Sequence, residues 1–289
     1  MTDATKSIIQ DNFLFGSGFS LDLDFTCMIR NFPGQTEHYE NAHNQKKDIT
    51  FDVIIFDENG RNVYSKQSYA AVPYHSFYEL KSEDLKFDFD LSKEYLINIR
   101  CNRDKTDHES SSKEGAVFYT NRKDRTKTCS VLYDALPHIP NKTSYNPITL
   151  LGHKCWVSSE IDCYVYFCNL NTSINNSSVN PEPLLLNIVS ELGEIIYQHK
   201  ESIFFNSIFK FDVKKHLPKE INLNKDLKFF NVIASASNSQ YPIYTLFKNS
   251  VTGNLAIEHS LPPYYYIPQA SDMKKVRTDF IKNFTKNEI

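Results

Sequence analysis

The chain has 289 residues, 40% of them hydrophobic, with 21 phenylalanines and 17 tyrosines against one tryptophan and three methionines. That length exceeds a comfortable single sandwich and suits two domains of about 100–150 residues each, and the aromatic usage leans towards strands. A net charge of −3, from 32 basic and 35 acidic residues, sets up no strong field, which excludes nucleic acid or an anionic membrane as a partner chosen by bulk charge.

Residues 1–10 lack the basic segment and apolar run of a secretory signal, and no stretch approaches the length of a membrane span. A soluble, cytoplasmic protein is therefore expected. Cys27, Cys101, Cys129, Cys155, Cys163 and Cys168 form no CxxC pair and do not recur at equivalent positions. They read as reduced, mostly buried thiols.

The first clear strand places Leu21, Leu23, Phe25, Cys27 and Ile29 on one face, with Asp22, Asp24 and Thr26 opposite. Residues 33–48 are polar and aperiodic and read as a loop. A hairpin follows from Asp52 to Tyr64 around Gly60, and the chain repeats it from Leu185 to Tyr197 around Gly193: 193 − 60 = 133 and 197 − 64 = 133. Only the glycine survives between the two turns, as a position of positive φ requires.

From that anchor the two halves align. Upstream, Gly16 falls on Gly152 (152 − 16 = 136) and Leu23 on Ile161 (161 − 23 = 138). Downstream, Leu80 falls on Val213 (213 − 80 = 133), Ile99 on Ile233 (233 − 99 = 134) and Val117 on Ile243 (243 − 117 = 126). Each half closes on a Leu-Pro corner, Pro137 and Pro262 (262 − 137 = 125). Pro73 marks a strand break or edge, and the charged insert 102–114 reads as disordered. In the tail, Ser271 can cap a helix with Met273, Val276, Phe280, Ile281 and Phe284 on one face.

The expected fold is all-β: two tandem antiparallel β-sandwiches, immunoglobulin- or fibronectin-like, arising from internal duplication, plus a short C-terminal helix. The domains are expected at 1–140 and 141–268, with the amphipathic helix over 269–289. Strand order does not follow from the pattern, and a jelly roll or barrel stays open.

The chain has no Walker loop, GxGxxG, GxSxG, HExxH or zinc-spaced cysteine pair. Glu258 and His259, beside the second corner, are the foremost polar pair, able in principle to bind a metal or orient a base. The first half offers Asp134 at the position matched to His259, and His138 four residues on. Adjacent strand residues diverge, however, which favours polar capping of a sheet end. Tyr264, Tyr265 and Tyr266 could stack on a sugar or peptide, or bury the junction with the tail helix. His153, Lys154, Cys155 and Trp156 place a base, a nucleophile and the lone tryptophan together, but catalysis needs adjacency in space. His38, His43, His75 and His108 read as solvated loop or strand-edge residues.

The leading expectation is a non-enzymatic tandem β-sandwich that binds or scaffolds a glycan, peptide or protein, without cofactor. The alternatives are a metal-dependent enzyme or sensor at the Glu258/His259 corner, and a structural component of a larger assembly, for which oligomers are expected.

Overall fold

The computed structural model describes residues 11–31, 48–102, 114–134, 148–169, 181–236 and 243–259. All but the last residue of the expected 33–48 loop, most of the 102–114 insert, the Leu-Pro corners and the 269–289 helix lie outside these residues. The chain divides into two compact units, Met1–Ile139 and Pro140–Ile289.

The first unit contains β1 (Asp11–Gly16), β2 (Leu23–Asn31), β3 (Ile49–Phe56), β4 (Asn62–Val72), β5 (Ser76–Lys81), β6 (Leu96–Asn102), β7 (Glu114–Asn121) and β8 (Thr128–Asp134). The second contains β9 (Ile148–Val157), β10 (Ile161–Asn169), β11 (Glu182–Ser190), β12 (Ile195–Ile203), β13 (Ser207–Asp212), β14 (Lys228–Ala236), β15 (Ile243–Asn249) and β16 (Leu255–His259). The first forms two sheets, β1-β6-β3-β4 and β5-β2-β7-β8, and the second forms β9-β14-β11-β12 and β13-β10-β15-β16. Adding eight to each strand number turns one pair of sheets into the other. All pairings are antiparallel, so each unit is an antiparallel β-sandwich.

The alternation that marks β2 in the sequence is its burial pattern: Leu23, Phe25, Cys27 and Ile29 are buried and the residues between them half-buried. These inward side chains meet the facing sheet, with Phe15 and Phe25 ring centroids 5.1 Å apart and Phe51 and Tyr78 5.3 Å apart. The second core gathers Cys155 and Val157 from β9, Cys163, Val165 and Phe167 from β10, Leu186 and Ile188 from β11, and Val232 from β14. Removing such side chains from water is the main stabilising term.

Hydrogen-bond register refines the alignment of the halves. The hairpin offset of 133 holds, because Ile55 opposes Tyr64 as Ile188 opposes Tyr197. On β6 the offset is 135: Ile99 opposes Val53 as Ala234 opposes Leu186. An offset of 134 would turn the inward residues of one strand onto the outward face of the other. On β5 it is 131, since Leu80 opposes Cys27 as Phe211 opposes Val165. The two residues lost fall within β4, where Ser68 takes φ 44 beside a register shift. On β7 it is 128, Tyr119 opposing Phe25 as Phe247 opposes Cys163. Gly16 then corresponds to Lys154, not Gly152, because β9 is longer and shifts register against β14.

Candidate functional site

Glu258 and His259 end the edge strand β16, opposite Thr245 and Tyr244. Glu258 is exposed. Their counterparts in the first unit are Val131 and Leu132, which oppose Val117 and Ala116 on β7. Asp134 pairs instead with Glu114, so it is not the counterpart of His259; residue spacing misplaced it by two residues because it was already two residues short on β7, where Val117 corresponds to Thr245 and not to Ile243. His138, Tyr264, Tyr265 and Tyr266 lie outside the described residues. Among the described residues, no group of three or more His, Cys, Asp or Glu side chains is placed to hold a metal.

Cys155 and Trp156 separate in space, and the side chain of His153 lies outside the described residues. Cys155 and Val157 point into the core and are fully buried, while Trp156 between them is 45% exposed. Burial keeps Cys155 from any substrate; elsewhere it drives the Cys163 and Cys168 thiols well up from their ordinary value, and that of Cys129 to about 12.

The feature that stands out is where the two units differ most. Trp156 on β9 lies directly opposite Phe229 on β14, with ring centroids 5.6 Å apart at 72°. Phe229 and Leu227 are 38% and 43% exposed, while the ring centroid of Phe247 on β15 lies 6.1 Å from that of the tryptophan. Beside this surface, Lys225 pairs with Glu160 at 2.8 Å and Lys214 with Asp162 at 2.8 Å. The Glu160 hydrogen bond raises the Lys225 ammonium above its ordinary value.

The same register identifies the counterparts of Trp156, Phe229 and Phe247 as Gly18, Glu94 and Tyr119. There the chain builds a buried polar node. Glu94 accepts hydrogen bonds from Ser17 Oγ at 2.8 Å, Gly18 N at 2.7 Å and both Ser20 N and Ser20 Oγ. Gly18 adopts φ 73, and a Cβ on it would come within 3.1 Å of the Tyr119 ring, whose hydroxyl donates to Gly16 O at 2.6 Å. A tryptophan cannot occupy that position in the first unit. In the second, the replacement of glycine, glutamate and tyrosine by Trp156, Phe229 and Phe247 converts a sealed polar corner into an aromatic surface.

A second departure lies between the edge strands β12 and β13. His199 and His216 have ring centroids 5.3 Å apart, and His216 stacks on Phe211 at 4.5 Å. His199 Nε2 is 3.3 Å from Glu201 Oε2, and His216 Nδ1 is 2.7 Å from Asp212 O. These rings close the side of the sandwich, and neither histidine carried a sequence motif.

Nothing among protein-family models or curated proteins matches the chain. Among solved structures it is similar to a candidate β-galactosidase from Bacteroides fragilis, at 9% identity and a TM-score of 0.19, covering 86% of this chain and 32% of that one. It is also similar to a glycosyl hydrolase family 2 member from Bacteroides cellulosilyticus, at 12% identity and a TM-score of 0.17, covering 86% and 27%. A β-glucuronidase from Ruminococcus gnavus gives 8% identity and a TM-score of 0.15, covering 90% and 37%. The chain thus spans about a third of the length of these proteins. At such scores the likeness carries no argument about activity; the all-β assignment stands on the strands and sheets themselves.

Proposed function

We propose that this chain is a non-enzymatic tandem β-sandwich that binds a glycan, peptide or protein through the aromatic surface of its second unit. The observation that carries this reading is the exposed Trp156–Phe229 pair, flanked by Leu227, at the place where the first unit has the buried Gly18–Glu94 node. Flat apolar rings with solvent access are the side chains that anchor most binding surfaces. The recurrence of one strand order in both units supports an origin by internal duplication, after which one corner kept its packing role and the other became free to bind. A cytoplasmic setting fits the six free thiols. Less supports the Glu258/His259 reading, because Glu258 is exposed near the end of an edge strand.

Trp156 is the chain's one tryptophan, so its fluorescence reports this surface alone. Titration of the full chain with glycan and peptide panels should identify a ligand that shifts or quenches the emission. By isothermal titration, Trp156→Ala should weaken that ligand about 10- to 100-fold while leaving the circular dichroism spectrum unchanged. A ligand bound equally well by Trp156→Ala, or turnover of a substrate that survives the change, would overturn the reading.

A further inference from the structure

The strongest unassigned feature is the distribution of the cysteines inside the second core. All six thiols are free, and the sequence separates them without any repeated pairing. Cys155 and Cys163 nevertheless point into one core from β9 and β10, strands that belong to different sheets. The two strands are joined by a tight corner in which Ser158 N donates to Ile161 O at 3.2 Å, and their Cα atoms approach within 8 Å. The thiols of Cys155 and Cys163 are hydrogen-bonded to each other, and the Cys163 sulfur also accepts from the Trp156 backbone N–H. Cys27 and Cys101 also lie on facing sheets and sense each other electrostatically, but three strands separate β2 from β6 along the chain, with no tight corner joining them.

We propose that Cys155 and Cys163 form a latent disulfide that ties the two sheets of the second sandwich together when a low-molecular-weight disulfide such as oxidised glutathione is available. The Cys155 thiolate attacks one glutathione sulfur, and the glutathione S–S bond breaks as a mixed disulfide forms. The first reduced glutathione leaves and takes up the cysteine proton. The Cys163 thiolate then displaces the second glutathione, closing the intersheet bond. Two protein thiols are oxidised, one glutathione disulfide is reduced to two thiols, and both protons end on glutathione. Both thiols are fully buried and burial raises that of Cys163 well above its ordinary value, so exchange proceeds through local opening. Cys155 lies on β9, an edge strand, where opening costs least.

The test is to equilibrate the full-length reduced protein in glutathione buffers of increasing oxidation, with and without urea below the unfolding transition. Acid quenching, alkylation with N-ethylmaleimide and peptide mass mapping without reduction follow. A peptide joining Cys155 to Cys163, lighter by two hydrogens, should accumulate while Cys27, Cys101, Cys129 and Cys168 remain alkylated. Oxidation should raise the melting temperature of the second unit by about 5 °C, and Cys155→Ser should abolish the rise. Cys155→Ala, which places no polar atom in the core, should fold and likewise abolish the rise. Full alkylation of both cysteines across the series, urea included, would overturn the proposal, as would coupling of Cys155 to any other cysteine of the chain.

Discussion

Gly60 and Gly193 hold the same place in the two hairpins, with φ 74 and φ 84. Each donates its amide to the carbonyl three residues earlier, Asp57 at 2.9 Å and Ser190 at 3.0 Å. The side chains of those same residues accept from Arg61 N and Glu194 N at 2.8 and 3.2 Å. A Cβ on Gly193 would meet nothing within 4 Å. Gly193→Ala should therefore express the backbone cost alone, about 1 kcal/mol, and Gly193→Asn less. Urea unfolding with an unchanged m-value checks this; a neutral alanine would show that the left-handed conformation is not required.

Asn31 and Asn169 are also counterparts, closing β2 and β10 opposite Ser76 and Ser207. Asn31 donates Nδ2 to Val72 O at 3.0 Å and so ties the two sheets. Asn169 is fully buried, and among the described residues neither atom of its amide has a hydrogen-bond partner. Replacement by leucine should act in opposite directions: Asn31→Leu should lower stability by about 1–3 kcal/mol, whereas Asn169→Leu should raise it by about 1 kcal/mol. Denaturant midpoints of the two variants decide; a loss at both sites would mean that Asn169 is satisfied in solution.

Glu94 is 8% exposed and serves three residues of the β1–β2 crossover. Glu94→Ala would leave the Ser17 hydroxyl and the Gly18 amide without their acceptor and should cost about 2–4 kcal/mol. Hydrogen exchange should quicken first at residues 17–20. If Glu94→Ala unfolds at the wild-type urea midpoint, the node contributes nothing to folding.

Asp124 gives a pH signature. Its carboxylate accepts from Thr126 Oγ1 at 2.6 Å and from Thr126 N at 3.1 Å, which holds its pKa below the ordinary aspartate value of 3.8. A carboxylate lowered on folding adds stability above its unfolded pKa and loses it as the pH falls through the folded one. The Asp124 carboxyl carbon should therefore titrate below pH 3.8 by NMR, and Thr126→Val should move the midpoint upward. An unmoved midpoint in Thr126→Val would remove the hydroxyl as the cause.

By itself the sequence determined the all-β class, the inward residues of β2 and β10, and the turn glycines, because a two-residue alternation and a positive-φ turn are local properties that leave a local trace. It also carried the tandem pattern, though with slips of one or two residues wherever a strand gained a bulge or a turn changed length. Only the tertiary structure decided sheet order and register, since hydrogen bonds join strands such as β1 and β6 that lie about eighty residues apart. That register placed Trp156 opposite Phe229, moved Asp134 away from the counterpart of His259, and brought Cys155 against Cys163. The surface was half legible: Cys155-Trp156-Val157 already alternates, but exposure of the middle residue depends on what the facing strand supplies. Gly18 and Glu94 supply a sealed corner in one unit, and Trp156 and Phe229 an open aromatic face in the other.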